Sequence, residues 1–242
     1  MADPIHQFEI KELVPIEFLD LNLSFTNSSF FMILTIISVS FLLLISIKNK
    51  KLIPTRLQSI SELFFEFIAN MINDNIGEKG QKFFPLIFTL FTFILFGNLL
   101  GLLPYSFTFT SHIIVTFALA MFIFLLVTLV GIFIHGFKFL NLFVPKGVPM
   151  VMLPLMVPIE IISYLSRPIS LSIRLFANMM AGHTMLKVFG GFVISLGIIG
   201  GWLPLSFSVA LTGLEILIAF LQAYVFAILT CIYLNDALNL HH

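Results

Sequence analysis

The sequence predicts an all-α membrane protein. About five helices are embedded in the bilayer and one amphipathic helix lies on its inner surface. The last two helices form a long, tilted antiparallel pair. Three observations lead there. First, 59% of the 242 residues are hydrophobic and 10% are charged, against roughly 25% charged in soluble domains. A water-facing surface cannot be covered with so few charges. Second, mean hydropathy is +1.10, and the apolar runs are long enough to cross a bilayer. Third, those runs lack period-2 alternation. Backbone polar groups in lipid need internal partners, which leaves helices or a closed barrel. Without alternation the barrel is excluded.

The elements follow in order. Residues 1–28 form an acidic segment, since Asp3, Glu9, Glu12, Glu17 and Asp20 supply five of the twelve acids. Residues 29–242 then form one helical membrane domain. Its first span, about 29–47, is followed at once by Lys48, Lys50, Lys51 and Arg56. The positive-inside rule puts that end in the cytoplasm or matrix and the acidic N-terminus outside. Residues 54–76 read as the amphipathic helix. Leu57, Ile60, Phe64, Ile68 and Ile72 share one face, and Pro54 suits a helix start.

From Phe83 to Phe137 there is no Asp, Glu, Lys or Arg. This stretch holds two spans, about 83–104 and 111–137, with a polar outer loop between them. Lys138 and Lys146 mark the return to the inner side. Two longer apolar segments follow, about 149–189 and 202–238, separated by Gly190, Gly191, Gly197, Gly200 and Gly201. A 40-residue helix measures about 60 Å, so these helices are expected to tilt, break or extend beyond the membrane. The single cysteine, Cys231, reads as a small buried hydrophobe. No phosphate-binding glycine loop and no metal-ligand spacing is present.

The last two segments carry polar and ionisable residues that lipid opposes. A charge at mid-membrane costs about 2.5–3.5 kcal/mol on insertion scales, so such residues are functional candidates. Glu160, Arg167 and Arg174 recur every seven residues, with Ser163 and Ser170 between them and Asn178 four after Arg174. All share a helical face, and Ala177 and Ala181 on it permit close approach of another helix. On the second helix Glu215, Ala219, Gln222, Phe226, Leu229 and Tyr233 also share a face. In an antiparallel pair His183 and Glu215 lie toward one side of the membrane, Glu160 and Tyr233 toward the other. Arg174 and Gln222 fall between. His183 and Glu215 can exchange protons near neutral pH, whereas Arg174 stays cationic. This describes an ion path laid out by depth and interrupted by a fixed positive charge.

Plainer readings stand beside it. Glu160 and Arg167 also fit a structural ion pair, and Arg167 also fits snorkelling. His183 also fits an interhelical hydrogen bond, and Asn98 a helix-to-helix bond. Ser163 and Ser170 also fit simple close packing. His112 and His135, at span ends, suit interfacial positions.

The run from Arg167 to His183, RPISLSIRLFANMMAGH, resembles the a-subunit family of F-type ATP synthases, as do Leu221 to Tyr233 (LQAYVFAILTCIY) and Asn98 to Pro104 (NLLGLLP). The resemblance implies that Arg174 is the arginine facing each passing carboxylate of the c-ring, with Asn178 and Gln222 as its polar neighbours. It implies an outer half-channel of Asn98, His183 and Glu215. It implies an inner half-channel of Glu160, Ser163 and Ser170, with Tyr233 on the inner side. Gly101 departs from the members that have an acid there.

The implied partners are the c-subunit ring, b-type peripheral stalk subunits, the remaining ATP synthase subunits, the lipid bilayer and protons. Nucleic acid, direct nucleotide binding, cofactors and catalysis by the chain itself are not implied. The order His183 then Glu215 suggests an α-proteobacterial inner membrane, multi-pass, or alternatively a mitochondrial one. Sodium coupling, a secondary transporter and a purely structural membrane subunit are the alternatives. A transporter would be expected to show paired halves with broken helices, and no such halves are evident.

Overall fold

A computed structural model describes residues 8–15, 17–18, 21–22, 24–48, 54–103, 106–136, 139 and 152–239. Of these, the side chains of 17, 18, 21, 22, 198 and 199 are not described. Asp3, Asp20, Lys50, Lys51, Pro104, Lys138, Lys146 and the expected start of the fourth span at 149 lie outside the described residues. Among the described residues, five helices are long and apolar enough to cross a membrane. They are α1 (Asn27–Lys48), α3 (Phe84–Gly101), α4 (Ile113–His135), α5 (Leu153–Gly200) and α6 (Trp202–Leu238). The remaining helix, α2 (Arg56–Asn75), is the amphipathic one. The protein is an all-α membrane protein.

The acidic N-terminal segment contains short paired strands, which its composition does not predict. Strand β1 (Glu12–Val14) pairs antiparallel with β4 (Phe25–Thr26), around an inner pair of β2 (Glu17–Phe18) with β3 (Leu21–Asn22). Asn27 ties this nested hairpin to α1. Its Nδ2 donates to Glu9 O at 3.1 Å, and its Oδ1 accepts from the Ser28 and Lys11 amides.

Helix α2 packs into protein at both ends, through Gln58 and Ser61 near its start and an apolar cluster near its end. Ile68, Met71 and Ile72 are buried, while Leu57, Ile60 and Leu63 are exposed. Hydroxyls of Ser46 and Ser61, 2.7 Å apart, join α1 to α2. Past Ile76, Gly77 takes a φ of 80° and returns its N–H to Ile72 O and Asn73 O. That left-handed conformation ends the helix at low steric cost only for glycine. A 3-10 turn, Glu78–Phe83, leads into α3, where Pro85 occupies a first-turn position.

The core is built on α6. Ala219, Ala223 and Ala227 are fully buried at four-residue intervals, so α3 and α5 approach closely. Phe91 and Ile94 of α3, Leu175 and Met179 of α5, and Phe226 of α6 fill the space between. Span hydroxyls mostly bond within their own helix, one turn back. Thr35 donates to Phe31 O, Thr92 to Phe88 O, Thr184 to Met180 O and Thr230 to Phe226 O. In lipid this satisfies the donor without a partner helix.

The helix of the fourth span continues beyond 189. Helix α5 runs through Gly190 and Gly191 and kinks only at Gly197, where φ is 62°. Glycine-rich sequence weakens a helix in water, but lipid offers the backbone no competing partner. Pro158 and Pro168 also lie inside α5; proline has no N–H to donate, and membrane helices accommodate it where neighbouring groups satisfy the freed carbonyl. The 45 residues from Leu153 to the kink at Gly197 extend about 68 Å at 1.5 Å each, more than twice the roughly 30 Å hydrocarbon thickness.

Candidate functional site

The polar residues of α5 and α6 separate into two settings. On α5, Ser163, Ser170, Arg174, Ala177 and Ala181 are exposed, and Glu160 and Arg167 are half-buried. This stripe is an open face. On α6, Glu215, Ala219, Gln222 and Phe226 are buried, and Tyr233 is half-buried. That row points into the molecule. The two rows meet where Arg167 lies over Tyr233 and where Asn178 and Glu215 line one cleft, while Arg174 between them faces outward. Arg174 makes no hydrogen bond or ion pair among the described residues.

His183 lies nine residues after Arg174, which at 3.6 residues per turn places it on the far side of α5. There it shares a small cleft with Leu102, Asn178, Met179, Glu215 and Ile218. Among the described residues, neither carboxylate oxygen of Glu215 has a hydrogen-bond partner, although both are buried. An unpartnered buried carboxyl is costly, and such groups persist in membranes where they serve a function. Gly182 makes the space for it, since a Cβ there would lie 2.6 Å from Oε1. His183 and Glu215 are brought to the same cleft but are not hydrogen-bonded to each other.

The connection between α3 and α4 packs beside this cleft and touches His183. The sequence suggests a polar outer loop there, yet Thr108, Thr110 and Ser111 are buried, as are Phe107 and Phe109. A 3-10 turn, Phe109–Ser111, folds the segment inward. Thr108 Oγ1 sits 3.0 Å from His183 Nε2. Thr110 donates to Asn98 Oδ1 at 2.9 Å. Asn98, fully buried, donates in turn to Ala219 O at 3.4 Å. Asn98 thus links α3, α6 and the connection. Thr108 and Thr110 escaped the sequence reading because no spacing places a loop residue beside a helix 75 positions away. Phe8 packs edge-on against the His183 ring, with centroids 6.5 Å apart.

At the opposite end of the pair, Arg167 is not paired with Glu160, as the plainer reading allowed. Its Nη1 lies 3.1 Å from Asp236 Oδ2 on α6. The guanidinium also lies over the rings of Tyr164 and Tyr233, at 5.3 and 4.9 Å. Tyr164 contacts Thr128 of α4 at 2.8 Å. Asp236 was missed because the acid and its cation lie 69 residues apart on antiparallel helices. Among the described residues no group of three or more His, Cys, Asp or Glu is placed to hold a metal.

Comparison with known proteins agrees with this architecture. Residues 29–235 match the family described as ATP synthase A chain. The ATP synthase subunit a of Pelagibacter ubique is 62% identical over 242 residues, covering 100% of this chain and 99% of that protein. The subunit a of Mesorhizobium japonicum is 59% identical, covering 100% and 98%. That of Rhodospirillum rubrum is 56% identical, covering 100% of both. With its apolar helices, its α5–α6 pair and matches over its whole length, the chain belongs to the ATP synthase A chain family, the membrane-sector subunit a of F-type ATP synthases.

Proposed function

We propose that this chain is the stationary proton-translocating subunit of a rotary ATP synthase. It lies in a bacterial inner membrane with its acidic N-terminus outside. Protons enter past Asn98, His183 and Glu215 and protonate a carboxylate on a c-ring subunit. The ring turns through lipid until that carboxylate reaches the inner half-channel near Glu160, Ser163, Ser170 and Tyr233. There the proton leaves, because the Arg174 cation favours the ionised carboxylate. Asn178 and Gln222 flank the arginine.

One elementary charge crossing releases about 2.3 kcal/mol per 100 mV. This energy turns the ring and drives nucleotide synthesis elsewhere in the complex. The chain itself performs no covalent chemistry. Peripheral stalk subunits of b type hold it still while the ring moves.

The observation that carries this reading is the placement of Arg174. It sits on an exposed helix face without an ion-pair partner among the described residues, in a protein whose solvent is lipid. A mid-membrane cation in that position requires a negative partner from outside the chain. The polar groups on α5 and α6 continue to either side of it along the pair. The test is Arg174→Ala in the whole complex in proteoliposomes. Coupled ATP synthesis should be abolished and passive proton leak should rise. Normal synthesis in that variant rejects the gate.

A further inference from the structure

The connection between α3 and α4 makes a contact to His183 that the translocation scheme does not use. Thr108 is 4% exposed. Its Oγ1 lies 3.0 Å from His183 Nε2 and 3.2 Å from Gly101 O. A threonine hydroxyl has one proton to donate. Gly101 O can only accept, and its other hydroxyl neighbour is Ser106, at 2.8 Å. Ser106 has its own single proton divided between Gly101 O and Leu103 O, the latter at 2.7 Å. The Thr108 proton is therefore drawn to Gly101, and its oxygen offers a lone pair to the ring.

We infer that Thr108 is a positioning residue for proton entry: by accepting from the Nε2–H of His183 it fixes one tautomer and one ring orientation, and reserves Nδ1 for the transported proton. The inference rests on the reading of His183 as a proton carrier. In each cycle a proton binds Nδ1, giving an imidazolium with both nitrogens protonated. The same nitrogen then releases a proton toward the Glu215 carboxylate, and Nε2–H stays bonded to Thr108 throughout. Without the hydroxyl, both tautomers and both ring flips become available, and a fraction of the rings present the wrong nitrogen.

Gly101 provides the room for this contact. A Cβ at 101 would lie 2.6 Å from Thr108 Oγ1 and 2.7 Å from Cγ2. An acid at 101 and a threonine at 108 in this pose are mutually exclusive. Phe8 closes one edge of the ring with an apolar group, so it offers no competing acceptor.

The experiment compares Thr108→Val, Thr108→Ser and His183→Ala in the whole ATP synthase, reconstituted in proteoliposomes and normalised to assembled complex. Potential-driven proton flow is the readout. Valine keeps the shape and removes the hydroxyl, and should lower flow roughly tenfold, the lower end for loss of an orienting partner. Serine keeps the hydroxyl and should recover flow to within about twofold of wild type on the same scale. Equal losses for valine and serine overturn the inference, because packing rather than the hydroxyl is then responsible. Wild-type flow in Thr108→Val with loss in His183→Ala also overturns it. Wild-type flow in His183→Ala instead rejects the carrier reading on which it rests. Gly101→Ala, which moves Thr108 without altering any hydroxyl, should reproduce the valine phenotype; wild-type flow there counts against the inference.

Discussion

Replacing Gly182 by Ala separates the position of the Glu215 carboxylate from its mere presence. A Cβ at residue 182 lies 2.6 Å from Oε1, 3.0 Å from Cδ and 3.1 Å from Cγ of Glu215. Ordinary van der Waals contact begins near 3.4 Å, so Oε1 must retreat by about 0.8 Å to reach it. The obstructing atom ends a flexible side chain, so rotation of the glutamate relieves the clash and the helices stay together. Alanine also favours the helix over glycine by roughly 0.5–1 kcal/mol.

The thermal stability of the complex should therefore hold or rise slightly. Proton flow should not hold, because a misplacement near 1 Å lowers a positioned transfer by as much as about 10²-fold. The assay is potential-driven proton uptake by reconstituted complex, with Gly190→Ala as control. No atom lies within 4 Å of a Cβ at 190. A drop of about tenfold or more is expected for Gly182→Ala alone. Wild-type flow in Gly182→Ala refutes the reasoning. Equal losses in both variants refute it too, since the effect then belongs to glycine replacement and not to the carboxylate.

Asp236→Asn should change the stability of the complex by less than about 1 kcal/mol, because the Arg167 pair is partly exposed. Arg167→Ala also removes two ring contacts and should cost about 1–2 kcal/mol more; thermal unfolding of both variants decides whether the rings or the ion pair matter. His112 stacks on Phe107 with Nε2 buried, and burial lowers its pKa from the ordinary 6.5. The folded chain favours the neutral ring, so this contribution is complete above pH 6.5 and is lost as pH falls through the lowered value. His112→Gln should flatten the acid limb of the stability profile, and superimposable profiles with wild type rule this out.

The spans were legible because length and absence of charge are local properties. Residues 83–137 show this best, holding α3 and α4 with no acid, lysine or arginine. What remained hidden depends on contacts between distant segments. The glycines at 190 and 191 suggest a break, but a helix in lipid has no better partner for its backbone than itself. The loop before α4 looks polar because Ser106, Thr108, Thr110 and Ser111 are hydroxylic. Its burial follows from bonds to Gly101, Asn98 and His183, none of which a linear pattern reveals. Glu160 is the acid near Arg167 in sequence, whereas Asp236 is the acid near it in space. The apolar face of α2 is visible as a pattern, but not that Leu57 and Ile60 stay exposed while Ile68 and Ile72 go to the core.

The hydroxyls bonded back to their own helices have a consequence for insulation. Thr35, Thr92, Thr184 and Thr230 have each committed their single proton to a carbonyl one turn back. A hydroxyl held that way cannot hand a proton to a neighbour, so a chain of such groups does not conduct. The walls of this protein can carry polar side chains and still act as a dielectric. Leakage is then confined to the places where a polar group reaches beyond its own helix, above all the cluster of Asn98, Thr108, Thr110 and His183 beside Glu215. A substitution that freed one of the committed hydroxyls would be a candidate short circuit, even far from Arg174.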